Sequence, residues 1–162
     1  MSERPEGRKL SYVHEHRVRY RECDPMGVVY HTHYMDWFEE ARTEALREMG
    51  LPYRELEDSG VMMPVVEAHL RYHRPAYYDD LLHIHTSFSL SPGAARVVFD
   101  YSVRRHDADT DLVTGTVTLC FVDTERGRPV RAPERVLAVV ELESAADRMQ
   151  DSTSPRNSTR PT

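Results

Sequence analysis

Near residue 61 the hydrophobic pattern of the chain changes period, and this change limits the possible folds more than any other feature. Before it, Tyr30, Tyr34, Trp37, Phe38, Ala41, Ala45 and Met49 recur at spacings of four, three, one, three, four and four, with Leu46 widening the set. That spacing lays one apolar stripe along an α-helix. The opposite face carries Asp36, Glu39, Glu40, Thr43, Glu44 and Arg47, and Gly50 with Pro52 beyond it supplies a stop. After residue 61 the period becomes two, in VMMPVVEAHLRYHR, LLHIHTSFSL, ARVVFDYSVRRH and DLVTGTVTLCFVDT, separated by Pro, Gly or Asp clusters. A further run, Tyr12 to Tyr20, also reads as a strand.

The short connections SPGA and DADT predict that the last three strands are antiparallel neighbours joined by hairpins. The expected fold is therefore α+β, with a long central helix burying its stripe against a curved antiparallel sheet of about five strands. Residues 133 to 149 read as a further, moderately helical segment near the end of the domain. One helix leaves sheet edges and apolar surface uncovered, and dimerisation through an edge strand would cover both. No internal repeat is visible.

At 162 residues with 40% hydrophobic content, the chain is the size of one domain and has enough apolar material for a core. That domain is expected over 11–149. Residues 1–10 and 150–162 are polar and rich in Pro, Ser and Gly, and are expected to be disordered. Within the second tail, Asn157-Ser158-Thr159 spells a glycosylation sequon, read here as solvated tail. The net charge of −6 is spread over mixed signs with no basic block, so nucleic acid is not an expected partner. Lys9 is the single lysine among 21 basic residues, which leaves an anionic ligand to arginine forks. Two cysteines without a metal or disulfide spacing, and no apolar leader or membrane-length run, point to a cytoplasmic protein without membrane insertion.

Chemistry concentrates in RECDPMGVVYHTHYMDWFEEAR, residues 21 to 42. Asp24 lies in a turn shortly before the helix, where a carboxylate can act as nucleophile or as general base on water; an isolated Asp-Pro would otherwise read as a turn starter. The helix start carries unpaired N–H groups and the positive end of the dipole. Cys23 with His31 offers a competing Cys-His nucleophile. Against it, adjacent residues of a turn or strand point to opposite sides. The pairs His14/His16, His31/His33 and His83/His85 could each share a strand face, but no third metal ligand is nominated, so no metal site is expected.

YRECDPMGVVYHTHYMDWFEEARTE (20 to 44) and VVEAHLRYHRPAYYDDLLHIHT (65 to 86) resemble the hotdog-fold acyl-CoA thioesterases, of the 4-hydroxybenzoyl-CoA thioesterase type and the Tol-Pal-associated branch. The pattern falls on Tyr20, Asp24, Gly27 to His31, and Glu39, Ala41, Arg42, Thr43 and Glu44, and the resemblance spans roughly Val13 to Asp123. His31 matches the Tol-Pal-associated branch, where the benzoyl-CoA type has an aromatic residue. The usual Gly-Asp of the second stretch is Asp79-Asp80, which keeps the acidic position and loses the glycine.

The resemblance implies a hotdog fold, hydrolysis of an acyl-CoA thioester without cofactor, and a homodimer or homotetramer with sites at subunit interfaces. Asp24 is then the nucleophile or base, the helix N-terminus at His31 the oxyanion hole, and Tyr20 a hydrogen-bonding partner of Asp24 or substrate. Gly27, Arg71 and Arg74 are the candidates for substrate or coenzyme A contacts. Two alternatives stay open: a hotdog hydratase or dehydratase using Glu39 or Glu40, and a non-catalytic acyl-thioester binding module.

Overall fold

The structure is a computed structural model that describes residues 10–151. In chain order it contains strand β1 (Leu10–Arg17), a 3-10 turn (Tyr20–Glu22), helix α1 (His33–Glu48), the short helix α2 (Tyr53–Asp58), and strands β2 (Val61–Met62), β3 (Val65–Tyr72), β4 (Leu81–Leu90), β5 (Arg96–Arg105), β6 (Val113–Cys120) and β7 (Val122–Asp123). Helix α3 (Glu134–Asp151) follows. The tails expected at 1–10 and 150–162 lie outside the described residues, apart from Leu10, which opens β1, and 150–151, which close α3.

Five strands form one antiparallel sheet in the order β1-β4-β5-β6-β3, and β2 pairs with β7 in a small second sheet. The hairpins expected between β4, β5 and β6 are present. Two of the long period-two runs are divided. Pro64 has no N–H to donate and separates β2 from β3, and Phe121 separates β6 from β7.

Strand alternation fixes the core. Leu82, Ile84, Thr86 and Phe88 of β4, Val97, Phe99, Tyr101 and Val103 of β5, and Val113, Val117 and Leu119 of β6 are buried on the face that α1 covers. Tyr34, Trp37, Phe38, Ala41, Ala45 and Leu46 bury the helix stripe against them. Phe38 stacks on Tyr101 at 4.1 Å between ring centroids. It also lies over Gly115, where an added Cβ would come within 2.5 Å of the ring. The glycine thus permits the close approach of helix and sheet. Gly50 ends the helix region with φ +74, as the stop signal requires.

The outer face of the sheet is polar, with His83, His85, Ser87, Asp100, Ser102, Arg104, Thr114 and Thr116 half-buried at alternate positions. Strand β3 lies at one edge and is largely exposed along its length, including Val65, Val66 and Tyr72.

Candidate active site

Between β1 and α1 the chain makes a small hairpin, and this hairpin carries the candidate chemistry. The Asp24 N–H donates to Val28 O and the Gly27 N–H to Asp24 O, both at 2.9 Å. Gly27 has φ +79, a conformation that a side chain would oppose. Cys23 bridges Val29 across the hairpin, the Tyr30 N–H donates to Glu22 O at 2.9 Å, and the returning strand is held on its other side by Val29 N–H to Ala76 O. Val28 also forms a bridge with Tyr77. The valine pair is thus fixed from both sides.

Asp24 is half-buried at the tip of this hairpin. Its Oδ1 accepts the Met26 N–H at 2.8 Å. Its Oδ2 has no protein partner among the described residues. One carboxylate oxygen is therefore anchored and the other is available.

Helix α1 begins at His33 with Thr32 as its N-cap, two residues later than the start expected at His31. The reason is the hairpin, which keeps Tyr30 in extended pairing with Glu22 and delays the first helical turn. His31 sits in the intervening turn. Its ring packs on Tyr30 at 4.4 Å and lies edge-on to Tyr72 at 6.3 Å, and its carbonyl accepts the Tyr72 hydroxyl at 3.0 Å. Among the described residues, the N–H groups of His31 and Thr32 donate to no acceptor.

Tyr34, one turn on, is buried against Tyr72. Burial and the neighbouring phenol push its hydroxyl up to about 12. Burial raises Tyr72 as well. Both phenols are neutral donors at ordinary pH.

The other expected site residues are placed less centrally. Tyr20 belongs to the 3-10 turn, is 82% exposed, and packs edge-on to Tyr78 with no hydrogen bond to Asp24. Arg71 alternates with the inward-facing Tyr72 and lines a shallow depression of about 220 Å³ with His69, Thr114 and Thr116 on the outer sheet face. Within one chain it lies across the sheet from His31. Arg74 is exposed just past β3. Glu40 pairs with His14 at 3.3 Å, and Glu39 accepts the Thr43 hydroxyl at 3.3 Å.

Cys23 adjoins Asp24, but burial first, then the Glu22 and Asp24 charges, push its thiol up from its ordinary value. These surroundings oppose the thiolate that a Cys-His mechanism needs. The histidine pairs engage carboxylates one at a time, His14 with Glu40, His16 with Glu22 and His83 with Glu15. No group of three His, Cys, Asp or Glu side chains able to hold a metal is found among the described residues.

In place of the Gly-Asp found elsewhere, Asp79 itself adopts φ 67. Asx side chains tolerate this region better than most, so Asp79 can occupy this turn position without glycine. Asp80 then accepts the Tyr77 N–H at 2.9 Å and Arg105 Nε–H at 3.1 Å, which secures the segment that pairs with the Asp24 hairpin.

Two features of this region escaped the sequence reading. Tyr72 reaches the His31 carbonyl, which its inward position on β3 could have signalled. Glu22 is 6% exposed and accepts from Arg19 N–H at 2.6 Å, His16 Nε2 at 3.0 Å and Trp37 Nε1 at 3.2 Å. An acidic residue two positions before Asp24 was its faint signal; its contact with Trp37 emerges only in the fold.

A family profile described as "Thioesterase-like superfamily" matches residues 18–140. The acyl-CoA thioesterase YbgC of Haemophilus influenzae is 35% identical over 123 residues, covering 75% of this chain and 88% of that protein. The acyl-CoA thioester hydrolase YbgC of Escherichia coli O157:H7 is 32% identical, covering 75% and 90%. Among solved structures, a protein from Aquifex aeolicus is similar with TM-score 0.72 and 32% identity over 79% of this chain and 98% of that one. A 4-hydroxybenzoyl CoA thioesterase variant bound to 4-hydroxybenzoyl CoA shares the fold, with TM-score 0.71 and 23% identity over 80% and 97%. With its five-stranded antiparallel sheet and its long covering helix, this chain has the hotdog fold and belongs to the thioesterase-like superfamily.

Proposed function

We propose that the protein hydrolyses an acyl-CoA thioester to the free acid and coenzyme A, using Asp24 and the turn at His31. The observation that carries this reading is one hairpin that bears both an anchored carboxylate with an oxygen unpartnered among the described residues and, on its return arm, two N–H groups that have no acceptor among the described residues. The relatives named as acyl-CoA thioesterases support the substrate class.

In the reaction, the thioester carbonyl oxygen accepts from the N–H groups of His31 and Thr32. Negative charge developing there is favoured by these donors and by the positive end of the α1 dipole. Asp24 supplies the nucleophile by one of two routes. As general base, Oδ2 takes a proton from water while the water oxygen attacks the carbonyl carbon. As nucleophile, Oδ2 attacks directly to give a mixed anhydride, which water then cleaves to restore the carboxylate. Collapse of the tetrahedral intermediate breaks the C–S bond, and the thiolate of coenzyme A leaves and takes up a proton. Single-turnover hydrolysis in H2¹⁸O identifies the anhydride route where water cleaves it at the aspartyl carbon, because only that cleavage places solvent oxygen in Asp24; the general-base route labels the acid product alone.

The site is read as lying at a subunit interface. Strand β3 ends the sheet with an unpaired edge and exposed Val65, Val66 and Tyr72. Tyr72 also touches His31, so a second copy docked on that edge would border the acyl site. Arg71 and Arg74 are proposed to meet phosphates of coenzyme A, Arg71 in an assembly where its outer sheet face meets another chain. Tyr20, exposed near the hairpin, is proposed as a contact to substrate. The decisive test of the reaction is release of free thiol from a panel of acyl-CoAs by the wild type and by Asp24→Asn.

A further inference from the structure

Four backbone or side-chain connections converge on Glu22, from four parts of the fold. Its Oε2 accepts from Arg19 N–H in the chain leaving β1 and from His16 Nε2 on β1 itself. Its Oε1 accepts from Trp37 Nε1 on α1. Its own carbonyl accepts the Tyr30 N–H of the returning hairpin strand. His16 also lies on the Trp37 ring, at 4.4 Å between centroids, and Trp37 is 1% exposed. A buried carboxylate is costly unless its oxygens are filled by donors, and here both are.

Asp24 follows Glu22 by two residues, and His31 follows Tyr30 directly. The two halves of the candidate site are thus suspended from one side chain and its backbone: the carboxylate on the outgoing arm, the N–H groups on the return. The helix that those N–H groups precede is held to the same carboxylate through Trp37.

We infer that Glu22 is a positioning residue, whose buried carboxylate sets the separation between Asp24 and the His31 and Thr32 N–H groups by tying β1, the hairpin and α1 to one point. This inference rests on the reading of Asp24 and His31 as the site. Glu22 reaches no substrate; it acts through the residues it holds. Glutamine at this position has one oxygen for three donors and brings two N–H groups of its own, so it cannot satisfy Arg19, His16 and Trp37 together.

The test combines kinetics with hydrogen exchange of backbone amides, on wild type, Glu22→Gln and Trp37→Phe. Folding of each variant is checked by circular dichroism. The expected result for Glu22→Gln is a fall in kcat of about 10- to 100-fold with KM changed by less than about threefold, because small misplacement of reacting groups costs turnover more than binding. Exchange of amides over residues 23 to 32 should speed up, while the β4–β5 amides keep their protection. Trp37→Phe removes the helix hydrogen bond to Glu22 together with part of the buried ring under His16, leaves the Arg19 and His16 connections to the carboxylate, and should move both readouts the same way by less. If Glu22→Gln does not fold, Trp37→Phe carries the test alone.

Loosened exchange with an unchanged kcat overturns the inference, as does unaltered exchange over residues 23 to 32. A wild type that releases no thiol from any thioester refutes the hydrolase reading instead. In that event the exchange pattern still decides whether Glu22 holds the hairpin.

Discussion

At the residue scale, the two candidates for nucleophilic chemistry stand side by side and differ in surroundings. Asp24 has, on a fixed turn, an oxygen unpartnered among the described residues, whereas burial first, then the Glu22 and Asp24 charges, disfavour the thiolate of Cys23. Cys23→Ala should therefore keep most of the thiol-release activity, and a loss comparable to that of Asp24→Asn would reverse the assignment. Glu22 gives a second residue-scale expectation, this one in pH. Burial pushes its carboxyl up, but the Arg19 N–H, His16 and Trp37 outweigh burial and hold it below the ordinary 4.5. A carboxyl depressed in the folded state stabilises that state fully above its unfolded value and loses the contribution as pH falls through the folded value. The stability difference between wild type and Glu22→Gln, followed by urea unfolding, should be largest above about pH 4.5 and narrow in acid. A difference that widens toward low pH would show that the network does not favour the charged form.

At the element scale, much of the architecture was legible because periodicity reports burial directly. The apolar spacing from Tyr34 to Leu46 marked the buried face of α1, and the alternation in 81–90 and 96–105 marked β4 and β5. What was not legible depended on pairings between distant residues. Tyr30 fits the helical stripe by spacing, yet its N–H is taken by Glu22 O, so the chain stays extended there and the helix begins only at His33. Tyr20 looked like a strand end, but β1 stops at Arg17 and the chain winds into a 3-10 turn that carries Tyr20 outward. Gly115 illustrates the same limit: within a strand it signals close approach, while its partner Phe38 emerges only from the packing. Gly115→Ala places a methyl carbon where the Phe38 ring now lies, and such overpacking should cost about 1–3 kcal/mol, read as a lowered midpoint in denaturant unfolding. A variant as stable as the wild type would mean that α1 can shift away from β6 freely.

At the scale of the whole molecule, β3 is an exposed sheet edge among the described residues. Its exposed valines and unpaired backbone favour pairing with a second copy, and its contact with His31 brings that pairing next to the chemistry. The sequence already argued for a covered edge from the count of one long helix against five strands, though it could not say which edge. Val66 is half exposed, so Val66→Lys should leave the folded chain intact while shifting a dimer toward monomer in light scattering, with activity falling in step. A monomeric variant of full activity would place the complete site within one chain. Whether Asp24 drives cleavage of an acyl-CoA thioester is decided by thiol release from a panel of acyl-CoAs. The wild type should turn over at least one acyl-CoA, and Asp24→Asn, with its fold unchanged, should lose at least about 100-fold, in the range set by a lost base or nucleophile. Turnover by Asp24→Asn at the wild-type rate, or no thiol released by the wild type from any member of the panel, would contradict that role for Asp24.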